Sequence, residues 1–331
     1  MEGQNKVQII RHADKGVGSV FSNFFTTEMK KKLQKSLFHS KINEQNKDTE
    51  LQKLFFKAFV NQLKEDGLDS DEAETVLKTI YGNERLFGLM FNKKNGEKEK
   101  TNLPLTKEGL KRSIALGDSQ FEMMEKKLKE SGGHQAVLVS FINRKSDRNS
   151  LTGLLAIQQI KNCLAAFNQG VESSKQIDIN IHEHGLKAGE GRTIAAALAD
   201  LPDATWKRYE DLRNPASEGG RNLTIHESVR LMIGELKGKK DYNSETPEEG
   251  AKRYKKFVEY MFSVLKEDYK DESAVVRVAM AIGHSGPLAE IKDEYLKYQN
   301  IQEEEYYEVN YCEQFYFDEK GHLLETKATV I

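Results

Sequence analysis

Apolar runs that break off abruptly into polar or small residues recur along the chain. Val7-Gln8-Ile9-Ile10 gives way to Arg11-His12-Ala13-Asp14, and Ala136-Val137-Leu138-Val139-Ser140-Phe141 gives way to Asn143-Arg144-Lys145-Ser146-Asp147-Arg148. Val275 to Ile282 is apolar except for Arg277 and stops at Gly283-His284-Ser285-Gly286. Short β-branched runs with such ends predict buried strands. Ile177-Asp178-Ile179-Asn180-Ile181 alternates strictly, which predicts a strand with one buried face that ends at His182-Glu183-His184-Gly185. Parallel strands of an open α/β sheet bring their C-terminal ends to one edge, so these polar ends are expected to converge.

Between the runs the apolar period changes. Leu51, Leu54, Phe55, Ala58, Phe59 and Leu63 fall at i, i+3, i+4, i+7, i+8 and i+12, one face of a helix. No strand pattern interrupts residues 21–102, which are read as a helical insertion. Within it, Asp69-Ser70-Asp71-Glu72 precedes a helix on which Asp71 and Glu74 are spaced as N-cap and N3 partners. The twelve-residue ligand pattern of a calcium loop is absent there. Thr106 is a natural cap for a helix carrying Leu110, Ile114 and Gly117, and another helix carries Ile157, Ile160, Leu164 and Phe167. Thr246-Pro247-Glu248-Glu249 combines a cap, Pro at N1 and Glu at N3, and its helix is expected to bury Tyr254, Phe257, Val258, Met261, Phe262 and Leu265. Residues 201–243 lose periodicity around Asn214-Pro215 and Gly219-Gly220 and read as a lid-like insertion. The tail alternates at Val309, Tyr311, Phe315 and Phe317, and Asp318-Glu319-Lys320-Gly321 predicts a hairpin turn.

With 331 residues the chain is long enough for one large α/β domain, read as a single domain carrying the two insertions. A net charge of −2, from 31% charged residues of both signs, argues against a nucleic-acid partner held by overall basicity. Two cysteines, Cys163 and Cys312, are too few for a disulfide framework or a cysteine metal site and fit a reducing, cytoplasmic setting. No apolar stretch approaches the roughly 18–20 residues that span a bilayer, and Met1 to Lys6 lacks a signal-peptide pattern, so no membrane association is expected.

Arg11, His12, His284 and the loop with Arg144 and Arg148 thus share the expected edge, and two imidazoles with two guanidiniums there make a cationic pocket suited to a phosphoryl group. An unprotonated imidazole can attack phosphorus while the other cations stabilise the transferring group. Glu183, at a strand end and trailed by Gly185, is the first candidate for the acid that protonates the leaving alkoxide, and Asp14 is the second. A metal at His182-Glu183-His184 is disfavoured, because alternation in a strand turns Glu183 away from both imidazoles. Gly16-Val17-Gly18 lacks the Lys-Ser/Thr ending of a phosphate loop.

In these residues the chain resembles the histidine phosphatase superfamily, the phosphoglycerate-mutase-like fold. The likeness lies in Arg11-His12-Ala13, in Leu105-Thr106 with Gly109, in Arg148 with Thr152, in Glu183 followed by Glu190-Gly191, and in Gly283-His284, all in family order. The resemblance implies a three-layer fold, a mostly parallel sheet with helices on both faces. It also implies His12 as a phosphorylated nucleophile, with Arg11, Arg148 and His284 around the phosphate and no cofactor or metal. The Ser-Pro-Leu-x-Arg lead-in to the second arginine is here Arg144-Lys145-Ser146-Asp147-Arg148, which keeps Arg144 as an alternative to Arg148. The mutase segments with Trp-Asn and Glu-Arg-His-Tyr-Gly are missing, as are the acid phosphatase motifs, which favours the phosphatase branch. The expected function is phosphomonoester hydrolysis on a phosphorylated small molecule or phosphoprotein. The rivals are a non-catalytic phosphate-binding or interaction protein on the same fold, and a phosphomutase. Substrate identity and oligomeric state are not legible in the sequence.

Overall fold

The protein is described by a computed structural model that covers residues 4–13, 49–83, 86, 104–143, 146–184, 194–199, 245, 247–269, 274–299 and 309–330. Strands β1 (Gln4–Arg11), β2 (Gln135–Phe141), β3 (Asp178–Glu183), β4 (Val276–Gly283), β5 (Gln314–Phe317) and β6 (Leu323–Lys327) form one six-stranded sheet in the order β3-β2-β4-β1-β5-β6. The pairs β3–β2, β2–β4 and β4–β1 are parallel, whereas β5 lies antiparallel on β1 and β6 antiparallel on β5. The helices are α1 (Thr49–Glu65), α2 (Ser70–Tyr81), α3 (Lys107–Ser131), α4 (Asp147–Asn168), the single turn α5 (Ile194–Ala197), α6 (Pro247–Glu267) and α7 (Ser285–Tyr298). This is an α/β fold with a mixed, mostly parallel sheet and helices packed on it. Among the described residues no helix is long and apolar enough to cross a membrane.

The chain divides into two compact units. The first comprises Met1–His12, Met124–Lys145 and Ser174–Thr329 and holds the whole sheet. Its core joins Val7 and Ile9 of β1, Val137, Val139 and Phe141 of β2, Ala279 and Ala281 of β4, and Phe315 and Phe317 of β5 to the apolar stripe of α6. Tyr254, Phe257, Val258, Met261, Phe262 and Leu265 are all buried, as the 3.6-residue period requires, and each contributes roughly 1.5–3 kcal/mol of burial. The opposite sheet face, with Ile10, Leu138, Val278, Met280 and Ile282, is equally inaccessible. Strands buried on both faces read as continuous apolar runs, and that is why β2 and β4 stood out in the sequence. The hairpin turn between β5 and β6 closes on the Asp318 carboxylate, which accepts the N–H groups of Lys320 at 2.9 Å and His322 at 2.8 Å. The tail strand is shorter than its alternation predicted, because Tyr311 and Cys312 lie in a turn ahead of β5.

The second unit, Ala13–Met123 with Ser146–Ser173 and the last two residues, contains α1, α2, most of α3 and α4. The cap of α2 differs from the expected one: Asp69, not Asp71, is the N-cap, and Glu72, not Glu74, closes the capping box. Both pairs have the same spacing, and the helix takes the earlier one because Ser70 already has helical geometry. Thr106 caps α3 as expected, its hydroxyl accepting the Gly109 N–H at 2.9 Å. Gly117 lets α3 approach α4 closely, since a Cβ there would lie 2.6 Å from the Ala156 carbonyl oxygen. Asp118 accepts from the Gln159 amide at 2.7 Å and the Cys163 thiol at 3.2 Å, and burial with this carboxylate pushes the Cys163 pKa up to about 12. Residues 14–48 and 87–103, most of the helical insertion, and residues 201–243, the lid-like one, lie outside the described residues.

Candidate functional site

Strands β1 and β4 end level, with Arg11 opposite Gly283 in the parallel register. One residue further, the His12 N–H donates to the Gly283 carbonyl at 3.1 Å, so the next two side chains emerge side by side. The imidazoles of His12 and His284 meet edge to face with ring centroids 5.1 Å apart, and they are 4% and 6% exposed. Gly283 is required here, because a Cβ would lie 2.9 Å from both Ile9 Cγ2 and Tyr254 Cε2. The space a side chain would fill is taken by Tyr254, whose hydroxyl accepts the His284 N–H at 2.9 Å and donates to the Leu198 carbonyl at 3.2 Å. His284 also occupies the N-cap position of α7, so the unsatisfied N–H groups of that helix begin at the same edge.

Arg11 is held on the other side of β1 by the segment 309–313. Its backbone N–H donates to the Glu313 carbonyl and its carbonyl accepts the Cys312 N–H, both at 3.1 Å. The guanidinium lies over the Tyr311 ring, with Cζ 3.8 Å from the centroid, and Nη1 donates to the Val309 carbonyl. Tyr311 also reaches His12, at 6.3 Å between ring centroids. The Glu313 carboxylate is buried against Lys292 of α7 at 2.8 Å and accepts the Asn310 N–H at 2.7 Å.

Glu183 pairs in register with Ser140 and is exposed, while His182 and His184 turn to the α6 face. His182 packs on Tyr269, and His184 packs on Phe141 and bonds the Tyr260 hydroxyl through Nε2 at 2.8 Å. Alternation therefore separates the carboxylate from both imidazoles, as expected. Burial lowers the His184 pKa and raises that of Tyr260, so this pair is neutral near pH 7. Glu183 shares the edge with His12 but stands three strand spacings away, about 14 Å between strand axes.

The sheet thus brings together Arg11, His12 and His284. Arg148 belongs to the second unit and sits half-buried in the first turn of α4, rather than in a loop, because Ser146 already caps that helix by accepting the Asn149 N–H. In the same unit the Thr152 hydroxyl accepts the Ala13 N–H at 3.1 Å. Asp14, Arg144 and Glu190-Gly191 lie outside the described residues. Sequence reasoning missed Lys292 and Glu313, and it counted Tyr254 and Tyr311 as apolar positions only. No sequence signal marked the pair, because Glu290-Ile291-Lys292-Asp293-Glu294 reads like a solvated helix face, where lysine is ordinarily exposed.

No family model matches the chain, and no curated protein matches it either.

On α7, six residues past His284, Glu290 is 5% exposed and its Oε2 is buried without a hydrogen-bond partner among the described residues. Burial first, then Glu248 of α6 and Asp293 and Glu294 of its own helix, push its pKa up from 4.5 to about 7, against the opposing Lys297. The folded state therefore keeps a proton between pH 4.5 and about 7 that the unfolded chain has released. Stability falls as pH rises through that window and stays low above it, by roughly 3 kcal/mol at most. Glu290→Gln, neutral at every pH, is expected to match the native protein at pH 5 and exceed its urea midpoint at pH 8. Parallel pH profiles of the two proteins would refute this.

Proposed function

We propose that the protein hydrolyses phosphomonoesters through a phosphohistidine on His12, as a member of the phosphatase branch of the histidine phosphatase superfamily. The observation that carries the reading is the edge-to-face pair of His12 and His284, 5.1 Å apart, at the ends of adjacent parallel strands, with Arg11 the last residue of β1. A neutral His12 nitrogen attacks phosphorus, the ester P–O bond breaks, and the leaving alkoxide takes a proton. Water then attacks the phosphohistidine, releasing inorganic phosphate and the free imidazole. Arg11 and His284 hold the phosphoryl oxygens, and the family resemblance alone implies Arg148, or Arg144, as the second guanidinium. Glu183 is assigned as the acid on the strength of its strand-end position. Its distance from β1 means that a leaving group must extend across β4 and β2 to meet it, and Asp14, two residues past His12, is the alternative. The substrate class is a phosphorylated small molecule or phosphoprotein, and the setting is cytoplasmic.

Trapping tests the reading. The protein is mixed with a radiolabelled aryl phosphate, quenched in alkali and digested. An acid-labile label on the peptide containing His12 is the expected result. Phosphate binding without labelling would favour the non-catalytic phosphate-binding protein, and transfer between two positions of a sugar phosphate would favour the mutase.

A further inference from the structure

We propose that Tyr311 is a positioning residue whose ring carries the Arg11 guanidinium and fixes its plane beside His12. The proposal rests on the reading of Arg11 as a phosphate contact, and it assigns to the site a residue from a different part of the chain.

A guanidinium grips two phosphate oxygens only if its plane is set in advance. Two restraints set it here, one on the face and one on the edge. The Tyr311 ring lies 3.8 Å from Cζ, well inside the range of cation–π attraction, and the Val309 carbonyl takes an Nη1 hydrogen. The ring also stands 6.3 Å from that of His12, so one side chain borders both members of the Arg11-His12 pair.

Independent features of the backbone hold Tyr311 there. Cys312, the residue that follows it, has φ +57 and is the one non-glycine residue with positive φ among the described residues. Such a conformation persists when its surroundings over-determine it, and it is concentrated at functional sites. Its surroundings are the buried Cys312 side chain, the Cys312 N–H on the Arg11 carbonyl, and the Thr329 hydroxyl on the Cys312 carbonyl at 2.7 Å. The Lys292–Glu313 pair anchors the far end of the segment. The turn ahead of β5 is thus tied to the last residue of β1 at both backbone positions.

The test uses the full chain with Tyr311→Phe and Tyr311→Leu. Rotation of the Arg11 guanidinium, followed by its side-chain ¹⁵N resonances, is expected to be slow in the native protein and in Tyr311→Phe and fast in Tyr311→Leu. Inorganic phosphate is expected to bind about tenfold more weakly to Tyr311→Leu and within twofold of native to Tyr311→Phe, with KM rising and kcat little changed. The tenfold loss is expected to vanish in an Arg11→Lys background, because a residue acting through the guanidinium plane has nothing to act on once the plane is gone. An unchanged Arg11 rotation in Tyr311→Leu overturns the proposal. So does a Phe variant as impaired as the Leu one, which would point to the hydroxyl, and so does a full tenfold loss in the Arg11→Lys background. If the native protein neither binds phosphate nor takes up label, the proposed function fails, and the ¹⁵N measurement still decides whether Tyr311 restrains Arg11.

Discussion

Replacing His12 with alanine is expected to lower turnover of an aryl phosphate by at least about a thousandfold, without unfolding the protein. The size of the effect follows from the proposed role: a nucleophile that forms the covalent intermediate has no substitute in water, whereas phosphate contacts share their work. His284→Ala, which removes a proposed phosphate contact, is expected to cost less and to leave labelling of His12 detectable. The fold tolerates the His12 change because the backbone bond from residue 12 to the Gly283 carbonyl does not involve the side chain. A thermal melt of each variant separates loss of chemistry from loss of structure. Retention of more than a tenth of native turnover in His12→Ala would remove His12 as nucleophile and turn attention to its neighbour 5.1 Å away.

Legibility in the sequence followed the physics of each element. Strands β2 and β4 were readable because burial on both faces forces uninterrupted apolar runs, and α6 because its single buried face imposes a 3.6-residue stripe. The convergence of Arg11, His12 and His284 was readable for a related reason: strands of one sheet that run parallel end at one edge, and the apolar runs marked where they end. The cap of α2 was misplaced by two residues, since Asp69/Glu72 and Asp71/Glu74 are equivalent in spacing and only the backbone angles choose between them. What holds Arg11 was not readable at all. Tyr311 falls in phase with the alternation of the tail, yet the positive φ at Cys312 takes it out of the strand and onto a guanidinium 300 residues away in sequence. No period encodes a contact of that range. The same holds for Tyr254, which looks like core from its spacing while its hydroxyl supports the His284 backbone.

Lys292→Met is expected to destabilise the protein by about 3–5 kcal/mol, read from urea unfolding at neutral pH. The Lys292 and Glu313 side chains are 7% and 3% exposed and bonded at 2.8 Å, so removing the cation leaves a carboxylate stranded away from water. Methionine keeps most of the volume, which confines the change to charge. The loss is expected to shrink when Glu313→Gln is added, because the amide carbonyl can still accept the Asn310 N–H and no charge remains buried. The same pair anchors the segment whose backbone binds Arg11, so Lys292→Met should also loosen the Arg11 guanidinium in the ¹⁵N measurement, and the double variant should restore part of the restraint. A cost below about 1 kcal/mol, the range of exposed ion pairs, would mean that water reaches Glu313 and that the segment 309–313 stays seated without this anchor.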